Sequence, residues 1–256
     1  MFVLLAKQAS VGVILMRGGP SLWWHVSLWD TGEDRFESGQ WFRGRIYPEK
    51  SDVSPDGKLL IYLAWKSQFT DRTAVYNPPW IAVSRPPYLT ALALWRASGA
   101  EGGRGIFLDS RSVLIEANGR EHPGHPFGPL HVVEYSSLTA DDPLHNAVPG
   151  WGKGWAGTDE AQRKTSGALI LARDSKMSTT HFGCRYSLHS TDDHLIAKFR
   201  AHWADFDQQG RLVATVGGRV FAGEVTKSRK LQWYQLAAMH EEQPTQMEAP
   251  KWAQAW

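Results

Sequence analysis

The chain alternates short apolar runs with polar, glycine- and proline-containing breaks, at the period of strands rather than helices. Five mostly apolar runs, at residues 11–16, 59–63, 113–117, 168–172 and 212–216, begin about 48, 54, 55 and 44 residues apart. Such a run, bounded by turn residues, reads as a strand buried on both faces. Between the runs lie further strand-like segments at residues 22–29, 41–47, 80–84, 89–95, 130–135, 182–189, 194–203, 219–225 and 231–239. They are rich in Trp, Tyr, Val and Ile and are separated by Gly, Pro, Asp and Asn. No long amphipathic helix is predicted: the best candidate, residues 159–166, is too short and polar to bury a face. The stretch 136–166 yields no strand pattern.

The second run follows Asp52-Val53-Ser54-Pro55-Asp56-Gly57-Lys58, and the fifth follows a looser echo, Asp205-Phe206-Asp207-Gln208-Gln209-Gly210-Arg211. Each predicts a short strand, a tight turn closed by glycine, and a buried strand. Pro55 presets φ for the second position of a type I turn, Asp56 suits the third, and Gly57 supplies the left-handed conformation that lets the strands pair again. Repeats of roughly 40–50 residues with four strands each are the signature of a propeller, and five of them nearly exhaust the 256 residues.

The Ser-Pro-Asp-Gly-Lys turn before an apolar run resembles the blade signature of the β-propeller superfamily with WD40-like and TolB-like repeats. The resemblance is carried by residues 52–62, with 205–214 as a degraded copy. Residues 43–95, with the block from Trp80 to Trp95, also resemble uncharacterised bacterial propeller-type proteins, to which no activity attaches. The resemblance implies an all-β chain: a single β-propeller over residues 1–240, of five four-stranded blades or of four, followed by a polar C-terminal tail at 241–256. How the ring closes is left open by the sequence, although residues 2–6 are apolar enough to pair with the last blade.

Charge narrows the partner class. With 28 basic and 26 acidic residues interspersed for a net +2, the chain lacks the concentrated basic stripe that phosphate neutralisation demands, so nucleic acid is not the expected ligand. The clusters Arg43 with Arg45 and Lys227 to Lys230 read as solvated loop charges. The single cysteine, Cys184, excludes an internal disulfide and suits a reducing compartment, and alternation from Phe182 places it on a core face. The N-terminal apolar stretch is too short for a signal or a membrane anchor, so a cytoplasmic protein with no membrane association is expected.

Thirteen tryptophans are the compositional oddity. Trp29, Trp41, Trp65, Trp95, Trp203 and Trp233 sit in or beside strand-like runs and are expected to pack between sheets. Trp151 and Trp155 lie instead in the glycine-rich stretch 146–157. With Lys153 they make residues 139–165 the first candidate for a binding surface. The second is the proline-stiffened loop 119–129, with His122, His125 and Phe127, which its prolines are expected to keep out of strand pairing. Residues 66–79 are a third.

His122 and His125, with His131 beyond them, lack a carboxylate or cysteine at zinc-ligand spacing, so no metal site is expected, and no cofactor signature is present. No Gly-x-Ser-x-Gly elbow, phosphate-binding loop or His-Glu-x-x-His occurs. If the chain were a hydrolase, Asp52, Asp205 and Asp207 at the blade entries would be its candidate carboxylates. Acidic residues at such positions more often bind turn amides. The expected function is therefore a non-catalytic interaction module, a scaffold for a protein partner or a subunit of a larger bacterial assembly. The alternative is a carbohydrate-binding protein or glycoside hydrolase, with stacking tryptophans and a small molecule or sugar as ligand.

Overall fold

The structure is a computed structural model describing residues 1–19, 22–66, 79–97, 103–117, 119–139, 141–142, 144, 156–158, 161–174 and 183–256. It is all-β. Among these residues twenty strands form five sheets, each built from strands consecutive in the chain. By its contacts the chain divides into two units. An N-terminal unit combines Val3–His145 with Glu242–Trp256, and a C-terminal unit combines Asn146–Glu241 with Met1–Phe2.

Three sheets lie in the N-terminal unit. The first runs β1 (Phe2–Leu5), β2 (Val11–Gly18), β3 (Trp23–Asp30), β4 (Arg35–Arg43), in spatial as in chain order. The second runs β5 (Arg45–Val53), β6 (Leu60–Trp65), β7 (Trp80–Ser84), β8 (Ala93–Arg96). The third has β10 (Ser112–Ala117) between β9 (Gly103–Phe107) and β11 (His131–Glu134). The apolar N-terminal segment, with ring closure left open by the sequence, supplies the first strand of the first sheet, beside β2, and is not a strand of the last sheet.

Two of the five sheets depart from four strands. The third has three, and β11 pairs with β10 in parallel, Ser112 opposite His131, because the long connection 118–130 carries the chain back before it re-enters. The fourth has five. Residues 156–158 and 161–166, expected to lie in a loop, form a hairpin at its edge.

The Ser54-Pro55-Asp56-Gly57 turn forms as its sequence dictates. The Gly57 N–H donates to the Ser54 carbonyl at 2.8 Å, and Gly57 has φ +76°. The Ser54 hydroxyl accepts from the Leu59 N–H at 2.9 Å and donates to Asp56 at 2.6 Å, so the turn side chains satisfy the backbone left unpaired between β5 and β6. Beyond it, Leu60 to Leu63 are all buried. Ile61, Leu63, Ile81, Val83, Trp95, Phe107, Val113 and Ile115 make one core between the second and third sheets. Gly105 of β9 lies so close to Ile61 that a Cβ there would sit 2.3 Å from its Cδ1.

The C-terminal unit has two sheets. One runs β12 (Ala156–Thr158), β13 (Ala161–Ser166), β14 (Leu169–Asp174), β15 (Cys184–Ser190), β16 (Leu195–Ala201). The other runs β17 (Trp203–Phe206), β18 (Leu212–Val216), β19 (Arg219–Val225), β20 (Leu231–Ala238). Leu171, Cys184, Tyr186 and Leu188 pack on Ala204, Phe206, Leu212 and Ala214 between them. Cys184 is on the core face, as alternation requires, and burial pushes its thiol pKa up. The Phe2 ring lies 6.4 Å from that of Trp203, and Thr215 donates to the Met1 carbonyl at 3.0 Å.

The C-terminal residues pack rather than trail. In the N-terminal unit Gln40 donates to the Met247 carbonyl at 2.8 Å and Trp256 to the Pro126 carbonyl at 3.1 Å, while Trp252 stands edge-on to Tyr88 at 5.6 Å. Trp29, Trp95 and Trp203 are buried as expected, but Trp65 and Trp233 keep 38% and 37% of their surface exposed. No helix of the described residues is long and apolar enough to cross a membrane.

Candidate functional site

The candidate carboxylates are committed to backbone amides and to two ion pairs, Asp205 with Lys164 and Asp207 with Arg211. Asp52 accepts from its neighbour's N–H, Val53, at 2.9 Å and, with its other oxygen, from Phe107 in the next sheet at 3.0 Å. Its counterpart Asp205 accepts from Phe206 at 2.7 Å and from the Lys164 ammonium at 2.8 Å. Both therefore tie the entry strand of one sheet to its neighbour. Burial pushes the Asp205 carboxyl above the ordinary aspartate range, although Lys164 pulls it down. Asp207 accepts from the Gln209 and Arg211 amides at 3.0 and 2.9 Å and from the Arg211 guanidinium at 2.7 Å, which makes it the turn residue corresponding to Ser54.

Of the candidate binding residues, Trp151, Lys153 and Trp155 lie outside the described residues, as do most of residues 66–79. Phe127 is in the core: it is 2% exposed and meets Trp95 edge-on at 5.7 Å, so it holds its loop down instead of presenting a surface. His122 and His125 stay at the surface with rings 5.1 Å apart. The His122 Nδ1 accepts from the Gly124 N–H at 3.1 Å, and no third ligand group stands near them among the described residues. The loop also pairs, contrary to expectation. His122 donates to Leu94, Leu94 to the His125 carbonyl and Arg96 to that of Arg120, since Pro123, Pro126 and Pro129 fall where no ladder donor is needed.

A serine–histidine–carboxylate row arises in the N-terminal unit that sequence spacing does not show, because Ser38 and Glu242 are 204 residues apart. His25 is fully buried and stacked on Trp41. Its Nδ1 lies 3.0 Å from Glu242, and its Nε2 lies 3.1 Å from the Ser38 hydroxyl but also 3.2 Å from the Gly39 carbonyl. The Gly39 carbonyl, which only accepts, competes with the Ser38 hydroxyl for Nε2, so this nitrogen is not reserved as a base toward the serine. Burial holds the imidazole below its usual pKa, with Glu242 and the Gly39 carbonyl opposing. The row anchors the C-terminal segment.

The concentration of charge that composition does not reveal is on the outer face of the β12–β16 sheet. Register puts Arg163, Ala172, Ser187 and Lys198 in one row across four strands, and sets Arg185 directly opposite Arg200. Alternation carries Asp174 and His189 to the same face, while Leu171, Tyr186 and Leu188 face the core. Small side chains at Ala172 and Ser187 leave an open depression of ≈ 620 Å³, lined by Arg163, Arg185, Lys198 and Arg200.

Two of those cations are balanced. Arg185 pairs with Asp174 at 3.1 Å and Arg163 with Asp193 at 3.6 Å. Among the described residues no carboxylate pairs with Lys198 or Arg200. Like charges directly opposite in a sheet destabilise it, so Arg200 opposite Arg185 is a cost, which Asp174 offsets at Arg185. In the sequence these cations are scattered over residues 163, 185, 198 and 200, and only strand register joins them.

No protein-family model matches the chain, and no curated protein sequence matches it. Among solved structures it is similar to uncharacterized protein lmo1340 from Listeria monocytogenes EGD-e. The two share 9% identity over 94% of this chain and 84% of that one, with a TM-score of 0.33.

Proposed function

We propose that the protein is a non-catalytic interaction module, its five sheets the blades of a β-propeller, and that the outer face of the β12–β16 sheet receives an acidic protein partner. Support for the architecture comes from five sheets of consecutive strands, with the same aspartate and glycine-closed turn entering the second and the fifth. The observation that carries the binding reading is the group of four cations around a small-residue floor, two of them without a carboxylate among the described residues. Asp174 and Asp193 at the same face would repel a phosphate backbone, whereas a protein surface of mixed charge can set Lys or Arg against them.

The test is binding of a fluorescent glutamate-rich peptide that also carries lysines, read by anisotropy at low and high salt. Wild type is expected to bind with an affinity that weakens as salt rises, and Lys198→Glu with Arg200→Glu to lose most of it. Equal binding by wild type and variant, or tighter binding to duplex DNA than to the peptide, would set the reading aside.

A further inference from the structure

The last strands of the five sheets differ in how their free edges are guarded. A strand edge presents unpaired N–H and C=O groups, and folded proteins blunt it with charge, proline, bulges, brevity or a covering segment. β4 carries Arg35, Glu37 and Arg43 and is broken by a bulge where its pairing with β3 shifts. β8 is covered by residues 120–125. β11 has only four residues and bears His131 and Glu134. β16 carries Lys198 and Arg200.

β20 has almost none of these. Its eight residues, Leu-Gln-Trp-Tyr-Gln-Leu-Ala-Ala, include neither a charge nor a proline. Pairing with β19 is regular from Leu231 to Gln235, and the one irregularity lies beyond, between Gln235 and Ala237. Among the described residues nothing pairs with its other edge. Gln232, Trp233, Tyr234 and Gln235 are all exposed, Tyr234 at 44%, and Trp233 rests one ring edge-on against Phe199 at 5.1 Å, which fixes its orientation.

We propose that the 231–235 edge of β20 pairs with the same edge of a second copy of this chain, giving a two-fold antiparallel dimer. Charge selects that occupant. A neutral edge meets its own copy without repulsion, whereas two copies of the β16 edge would bring lysine and arginine together. An antiparallel pairing of identical segments is self-complementary and closes at two subunits. It sets Trp233 of one copy opposite Trp233 of the other, with each Tyr234 opposite a Gln232, and the aromatic cross-strand pair adds to the main-chain hydrogen bonds.

Sedimentation equilibrium over a range of protein concentrations tests this on wild type and on the double variant Gln232→Lys/Tyr234→Lys. The variant leaves the Trp233–Phe199 contact in place. Wild type is expected to show a reversible monomer–dimer equilibrium, and the variant a dissociation constant raised about tenfold or more by facing lysines, with its circular dichroism and melting temperature retained. Hydrogen exchange on wild type gives a second readout that does not depend on the variant folding: the β20 amides gain protection as concentration rises. A wild type that is monomeric throughout would overturn the pairing and leave the edge to a strand from another protein. A dimer untouched by the two lysines would overturn it, and so would assembly growing past two subunits.

Discussion

At the scale of single residues, position in the turn decided what the acidic side chains do. Asp52 and Asp205 occupy the same place before their turns, and each accepts from the following amide. What differs is the group that the second oxygen reaches: an amide for Asp52, an ammonium for Asp205. Replacing Asp52 by alanine leaves the buried Phe107 N–H without that acceptor and should cost about 1–3 kcal/mol in urea denaturation. Because burial raises the Asp205 pKa, the folded chain retains a proton that the unfolded chain has released. The stabilisation linked to it is present below the ordinary carboxylate value and is lost as pH rises through the folded one. Stability measured at steps of pH should fall over that window, and Asp205→Asn should flatten the fall; an unchanged slope would count against a raised pKa. Phe127→Ala should cost about 3–5 kcal/mol as a core deletion, a loss that a surface aromatic would not show.

At the scale of elements, strands announced by apolar runs were legible and their edges were not. The runs at 11–16, 59–63, 113–117, 168–172 and 212–216 all fall on strands, since a buried strand needs apolar side chains whatever its neighbours are. Residues 161–166, Ala-Gln-Arg-Lys-Thr-Ser, gave no such signal, yet they form β13 because β14 offers six consecutive residues to pair with. The bulge in β4 is likewise a product of its surroundings. At Gly39 a Cβ would stand 2.1 Å from the Pro87 carbonyl oxygen and 2.7 Å from that of Val26, both backbone atoms that cannot swing away. Gly39→Ala should therefore lower stability by about 1–3 kcal/mol in thermal or urea unfolding, and should loosen the Gln40 N–H to Pro87 bond.

At the scale of the whole molecule, the N-terminal unit is completed by residues that follow the C-terminal unit in the chain. Deleting Glu242–Trp256 removes the carboxylate beside buried His25, the Met247 carbonyl from Gln40 and Trp256 from Pro126. The melting temperature of the truncated chain should drop, and an unchanged one would mean that the segment only rests on the surface. By itself the sequence determined the all-β class, the two glycine-closed turns and the core strands, because these depend on local conformational preference and on burial, which each segment carries in its own residues. Tertiary structure alone decided that Arg163, Arg185, Lys198 and Arg200 share a face, that Phe127 is core and that Glu242 answers His25. Each of those depends on which distant segments are brought side by side, and strand register and chain return leave no periodic trace in the residues they join.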